Sequence, residues 1–329
     1  MKKLGLLLGV TGAMAIAAGG LTASQLEALP ERDAEIIVEV DKSIKGLSEE
    51  GVKLSQNAVY TNIKAYATTN VRKLHSYNVL NNAFLLEVNK EDIELIKQVP
   101  GVKSVTENKM HWTRVLNNDE TIPLADGNRL PGPVEENISA STMYKPEDTN
   151  DGEGTLIAIL DNEFNFRGKT NKTDEWHHEV FEPLNSDVSV KYTFASIKKI
   201  QGLNAGQRKL GAGEGVEGSM YLNNKVPFYY DYGGTSTSYG KEGKPKFDVS
   251  SELSYHGSHV ASITSANAPT YKGIAPKAQL ALMKVFTDYD ASGLGKKLGL
   301  SNSTGAYDSC ILSALEDCIK LKVDGINMS

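Results

Sequence analysis

Thr155-Leu156-Ile157-Ala158-Ile159-Leu160-Asp161 is a short, almost wholly apolar run that ends in a carboxylate. Strands buried on both faces of a parallel sheet read this way, because neither side of the pleat meets water. Asp161 then stands at the carboxyl end of such a strand, where open α/β sheets place their functional sites. Gln279-Leu280-Ala281-Leu282-Met283-Lys284-Val285-Phe286 reads likewise as one buried strand, fed by the turn Gly273-Ile274-Ala275-Pro276. Between these runs, His256-Gly257-Ser258-His259-Val260-Ala261-Ser262-Ile263 begins with an imidazole after a polar loop and continues as an apolar, small-residue helix. An imidazole at a helix start can face a cleft. Further on, Tyr307, Cys310, Ile311, Ala314, Leu315, Cys318 and Ile319 fall at the spacing of one buried helical stripe. Eight residues of helix separate the two cysteines. That is ~12 Å of rise, too far for a disulfide, so both read as buried thiols. Residues 323–328 start a further strand. Together the pieces predict an α/β unit: a parallel sheet with helices on both faces.

Upstream the pattern is different. Residues 34–40 alternate like a strand, 48–67 carry helical apolar spacing, and 71–77 and 83–88 are strand-like around Asn81-Asn82, a hairpin. Asn89 can cap a helix with Glu91 and Asp92 in its first turn and Ile93 and Ile96 on its inner face. Pro100-Gly101 stops it before a strand over 102–106. The order βαββαβ predicts a small ferredoxin-like α+β unit, an architecture that many binding modules share. Residues 117–150, rich in Asn, Asp, Glu, Gly and Pro, read as an exposed, protease-accessible connector.

Length and composition agree with two folded units: 329 residues, 40% hydrophobic and 23% charged, lie inside globular ranges. The formal charge of -6 with interleaved acids and bases marks no polyanion-binding surface, which argues against nucleic acid as a partner. Lys2 and Lys3, the apolar run 4–18 and the small residues up to Ala23 and Ser24 have the form of a cleaved secretory signal. Gly5, Gly9 and Gly12 weaken the competing reading as a membrane anchor. With two cysteines, an exported form of this chain is not built on disulfides.

The blocks at residues 155–161, 256–263, 273–286 and 324–329, in that order, resemble the subtilisin family. The first matches its strand ending in the catalytic Asp and the second its His-Gly-Thr-His-Val-Ala motif, with Ser258 for Thr. The third matches its Gly-Val-Ala-Pro segment and the strand after it, the fourth the strand entering its Asn-Met-Ser-Leu-Gly segment. Residues 34–108 look like the family's inhibitory propeptide, which chaperones folding and plugs the cleft. The run 226–232 and the 95 positions between Asp161 and His256 point to the lactocepin-like cell-envelope branch. The resemblance implies a secreted serine endopeptidase precursor in which Asp161 orients the imidazole and His256 is the base, acting on protein or peptide substrates with its own propeptide in the cleft. It implies no cofactor for catalysis, and structural calcium as family members use it. The implied division is a signal peptide over 1–24, a propeptide-like unit over 25–115, a linker over 116–150 and part of a peptidase domain over 151–329.

Several features depart from that pattern. The family's Gly-Thr-Ser-Met-Ala motif, which carries the nucleophile, and its oxyanion Asn do not occur in these residues. Ser219-Met220 after Gly218 sits in an acidic glycine loop, not a strand-to-helix turn. The expectation is a chain cut before the Ser, inactive by itself, with residues 323–328 on an unprotected sheet edge and poor stability of the second unit. Asn162-Glu163 replace the usual small residue and Gly after the Asp, and Ser262 replaces a common Gly. His177-His178-Glu179 with His256 and His259 lack His-Glu-x-x-His spacing, so a packed or surface role is preferred to a metal site. The glycine loop 211–218 carries Glu214 and Glu217, which would repel a phosphate. Asp148, Asn150, Asp151 and Glu153 offer oxygens for calcium, or form a solvated linker. The competing function is a non-catalytic secreted protein that binds or inhibits another protease through the propeptide-like unit.

Overall fold

The computed structural model describes residues 34–112, 151–161, 164, 181–205, 220–232, 256–269, 271–287 and 305–328. The signal segment 1–24 and the connector 116–150 lie outside the described residues, as do Asn162, Glu163, the cluster 177–179 and the loop 211–218. The chain divides into two compact units, Met1–Lys109 and Met110–Ser329. Among the described residues no helix is long and apolar enough to cross a membrane.

The first unit runs β1 (Ala34–Val40), α1 (Glu49–Tyr66), β2 (Arg72–Tyr77), β3 (Ala83–Val88), a 3-10 turn (Lys90–Asp92) leading into α2 (Ile93–Ile96), and β4 (Val102–Glu107). Its four strands form an antiparallel sheet in the order β2-β3-β1-β4. Helix α1 starts where the Ser48 hydroxyl accepts from the Gly51 amide, with Glu49 and Glu50 at its positive end. Its buried stripe of Val52, Gln56, Val59 and Ile63 lies on one helix face. Alternate residues of β1 and β3 (Ile36, Val38, Val40, Phe84, Leu86 and Val88) supply the facing half of the core. At Gly101, φ is +92° and an added Cβ would lie 2.8 Å from Val59, so the predicted Pro-Gly stop serves both the turn and the helix packing.

Asp92 locks this unit. It is fully buried, and its carboxylate accepts from the amides of Thr68 at 2.9 Å and Thr69 at 3.1 Å and from both threonine hydroxyls. Burial pushes its carboxyl up, but the hydrogen bonds from Thr69 and Thr68 outweigh that and leave it below the usual aspartate range. The stability it contributes is therefore present above pH 3.8 and is lost as pH falls through its lower folded value. Replacing Asp92 with Ala is expected to cost about 3 kcal/mol in urea unfolding of the first unit, since four donors lose their acceptor. Asp92→Asn should unfold less steeply in acid than the native chain.

The second unit contains β5 (Met110–Trp112), β6 (Leu156–Asp161), α3 (Phe194–Ile197), β7 (Phe228–Asp231), α4 (His256–Ser265), β8 (Gln279–Lys284), β9 (Phe286–Thr287), β10 (Gly305–Tyr307), α5 (Asp308–Lys320) and β11 (Gly325–Met328). Strands β11-β6-β8-β7 form a wholly parallel sheet, and β5-β10-β9 a small antiparallel one. The pleat sends Leu156, Ala158, Leu160, Ala281 and Met283 to one face, against Cys310, Ala314 and Cys318 of α5. It sends Ile159, Leu280 and Leu282 to the other, against Ala261 of α4. Helices therefore cover both faces, which is why β6 and β8 are nearly continuous apolar runs. Both cysteines are buried and neither is in a disulfide, and burial pushes the Cys318 thiol up to about 12.

One detail differs from the sequence reading and a second adds to it. The run 279–286 is not one strand: the backbone leaves the parallel sheet at Val285, whose amide donates to the Asp161 carbonyl, and Phe286 joins β10 instead. Continuous apolar character cannot reveal that break, because β8 is buried and Phe286, partly buried, packs against the same core. The aromatic run at 228–231 is a strand, β7, completing the sheet beside β8.

Candidate active site

The site is built where β6 ends and α4 begins. Asp161 is the last residue of β6 and only 1% exposed, and His256 is the first residue of α4 with its side chain 54% exposed. The His256 Nδ1 lies 2.8 Å from Asp161 Oδ1 and 3.1 Å from Oδ2. A carboxylate accepts and cannot donate, so Nδ1 carries the hydrogen and Nε2 is left as the basic nitrogen. The two residues are 95 positions apart, and the parallel sheet together with α4 packed on it brings them into contact. An imidazole so held can take a proton at Nε2 and give it back while the buried carboxylate stabilises the imidazolium.

Sequence reasoning missed two charged neighbours. Asp161 of β6 and Asp231 of β7 are both register partners of Lys284 on the intervening β8. Lys284 and Asp231 are buried, and the ammonium lies 3.2 Å from the Asp231 carboxylate. The only sequence signal was a single charge inside each of the runs 279–286 and 226–232, and nothing local says that the runs are adjacent. The far end of α4 holds another buried cation, Lys225. Its ammonium donates at 2.7 Å to the Ser265 hydroxyl and to the carbonyls of Pro276 and Ala278. Burial, with Lys272 adding repulsion, pushes it down to about 7 from 10.5. The unfolded chain holds this proton more tightly between those two values, so stability rises with pH across the interval. Lys225→Met should abolish that rise in melting temperature, measured between neutral and alkaline pH.

Other candidate positions are placed as follows. His259 is exposed one turn along α4 from His256. Among the described residues no group of three or more His, Cys, Asp or Glu is arranged to hold a metal ion. Asp151 and Glu153 both face Lys277, at 2.8 and 3.4 Å, and Glu153 also accepts from the Ser189 amide. These two carboxylates serve an ammonium and do not fit calcium, while Asp148 and Asn150 lie outside the described residues. Strand β5 lies antiparallel to β10, with Met110 opposite Tyr307 and Trp112 opposite Gly305. His111 Nε2 lies 2.7 Å from the Asp308 carboxylate at the start of α5.

An antiparallel α+β unit followed by a parallel sheet that carries helices on both faces, with a buried Asp holding a helix-start His at its rim, defines a subtilisin-like architecture behind a propeptide-type module. Residues 152–329, more than half of the chain, match the subtilase family, and the chain belongs to that family. Residues 36–112 match peptidase inhibitor I9. The chain is 27% identical over 95% of its length to the PI-type proteinase of Lactococcus lactis subsp. cremoris, and 26% identical over 95% to the PII-type proteinase of Lacticaseibacillus paracasei. A C5a peptidase of Streptococcus pyogenes is 26% identical over 56% of the chain. The chain spans 15% of the length of those two proteinases and 12% of that C5a peptidase.

Proposed function

We propose that these residues supply the inhibitory module and the Asp and His of a secreted serine endopeptidase precursor. The observation that carries this reading is the 2.8 Å bond between a buried Asp161 and a half-exposed His256. In the proposed reaction His256 Nε2 takes the proton of a serine hydroxyl as it attacks a peptide carbonyl, then returns it to the leaving amine. Asp161 fixes the tautomer throughout. The family's serine motif does not occur in the 329 residues, so a polypeptide of this sequence alone is proposed not to cleave peptides. Family membership and the signal-like residues 1–24 support export to the extracellular space or cell envelope. The pairing of β5 with β10 supports an extended peptide lying along that edge, as a propeptide or substrate would.

An active-site fluorophosphonate tests the assignment. The 329-residue chain is expected to remain unlabelled, and a chain extended through the family's serine motif to be labelled in a His256-dependent way. Labelling of the short chain would overturn the reading. The match of residues 36–112 to an inhibitor family favours a second reading, a protease-binding protein. Tight inhibition of an active subtilase by the added full chain, without labelling of any longer form, would select it.

A further inference from the structure

Lys225 lies just before β7 and is 0% exposed. Its ammonium donates at 2.7 Å to the hydroxyl of Ser265, the last residue of α4, and to the carbonyls of Pro276 and Ala278 in the turn that feeds β8. The Ser265 hydroxyl in turn donates to the Ala275 carbonyl at 2.6 Å, with that of Ala278 at 2.9 Å. An ammonium has three hydrogens and no acceptor, so hydrogens and oxygens match here only while the amine is charged. Among the described residues no carboxylate pairs with it, and the charge that acts on it, Lys272, is also positive. A buried cation held by carbonyl and hydroxyl oxygens alone has the chemistry of a monovalent-cation site, filled here by a side chain of the protein itself. Its place at the carboxyl end of α4, the negative end of the helix dipole, suits a cation.

The same turn caps α4. The amides of Gly273, Ile274 and Ala275 donate at 2.9 Å to the carbonyls of Ala266, Ile263 and Thr264. A Cβ at Gly273 would lie 2.6 Å from the amide nitrogens of Ser265 and Ala266, so helix end and turn touch without slack. The Lys225 backbone is fixed as well: its carbonyl accepts from the Leu280 amide of β8, and its amide donates to the Asn223 side chain, each at 2.8 Å. Helix end, turn and sheet therefore meet at one ammonium. Helix α4 has 10 residues, which puts about 14 Å of rise between Ser265 and His256. Over that length a helix moves as a rod, so a shift of its carboxyl end displaces the imidazole from Asp161. We propose that Lys225 is a positioning residue for His256: its ammonium acts as an internal cation that clamps the carboxyl end of α4 to the turn and the sheet, and so keeps the imidazole at the end of β6. This rests on the proposed role of the couple of Asp161 and His256.

The test is hydrogen exchange read by NMR in the full chain, below about pH 7 so that the Lys225 amine is charged. The first set of hydrogens is the Nδ1 hydrogen of His256, bonded to Asp161, with the amides of Gly273, Ile274 and Ala275. The reference set is the amides of Asn204 and Ala205, which Asp317 holds elsewhere in the unit. Lys225→Met keeps the bulk of the stem and removes the charge. It is expected to speed exchange of the first set about tenfold and to leave the reference set unchanged, whereas a merely structural role would speed both alike. Lys225→Ala opens the oxygen cradle. Ammonium or potassium chloride, but not tetramethylammonium chloride at the same concentration, is then expected to restore native exchange of the first set. Ser265→Ala removes one oxygen and keeps the charge, so it should give a smaller effect of the same kind, and it decides the matter if neither Lys225 variant folds. Unchanged exchange of the His256 hydrogen, parallel changes in both sets, or equal rescue by all three salts would overturn the proposal. Asp161→Asn separates the two readings. If it leaves exchange of the His256 hydrogen unchanged, the couple itself fails; if it speeds that exchange and the Lys225 and Ser265 variants do not, only the positioning role fails.

Discussion

Replacing Asp161 with Asn in a subtilase chain that joins these residues to the nucleophilic serine is expected to lower kcat about 10⁴-fold, the loss this change produces in serine-protease triads. The cause is local. The carboxylate accepts the Nδ1 hydrogen of His256 at 2.8 Å. An amide can instead present its N–H to the ring, which favours the other tautomer and places the hydrogen on Nε2, where a base must have none. Substrate binding does not use this bond, so KM should change little and the loss should fall on kcat. Comparable KM with a kcat reduced by less than tenfold would exclude the proposed role of Asp161.

A second large effect is expected from Asp317→Ala, this time on stability. Asp317, near the end of α5, is completely buried. Its Oδ1 accepts from the Asn204 amide at 2.5 Å, and its Oδ2 from the Ala205 amide and the Tyr232 hydroxyl, each at 2.7 Å. One carboxylate thus ties α5 to residues 204–205 and to the residue that follows β7. Truncation strands three buried donors and is expected to cost about 3 to 5 kcal/mol. Both tryptophans, Trp112 and Trp176, fall within the second unit's residue range, so their fluorescence during urea unfolding reports on it. Burial is the largest influence on this carboxyl and raises it to about 6 from 3.8, against the opposing donors of Asn204, Tyr232 and Ala205. The folded state therefore holds this proton more tightly. The stability linked to it is full below pH 3.8 and is lost as pH rises through about 6, and Asp317→Asn should flatten that interval. A loss below 1 kcal/mol on truncation would mean that water replaces the carboxylate.

The elements themselves were legible because their signals are local. Ser48 before Glu49-Glu50 marked the start of α1, Pro100-Gly101 the stop before β4, and the unbroken apolar run at 156–160 a strand covered on both sides. Asp161 and His256 were legible as residue types at the ends of such elements. The split between β8 and β9 was not, since apolar character continues through Val285 and Phe286 while the hydrogen-bond partner changes from β6 to β10.

By itself, then, the amino-acid order determined two units of different architecture, the α/β class of the second, and an Asp and a His placed to meet. Only the tertiary structure decided which strands are neighbours. The order β11-β6-β8-β7 inserts Lys284 between two acids from distant parts of the chain, and folding of the loop at 204–205 onto α5 gives Asp317 its donors. The physical reason is range. Caps, turns and periodicity are set by atoms a few residues apart, whereas the company a buried charge keeps is set by strand register and helix packing across the whole unit.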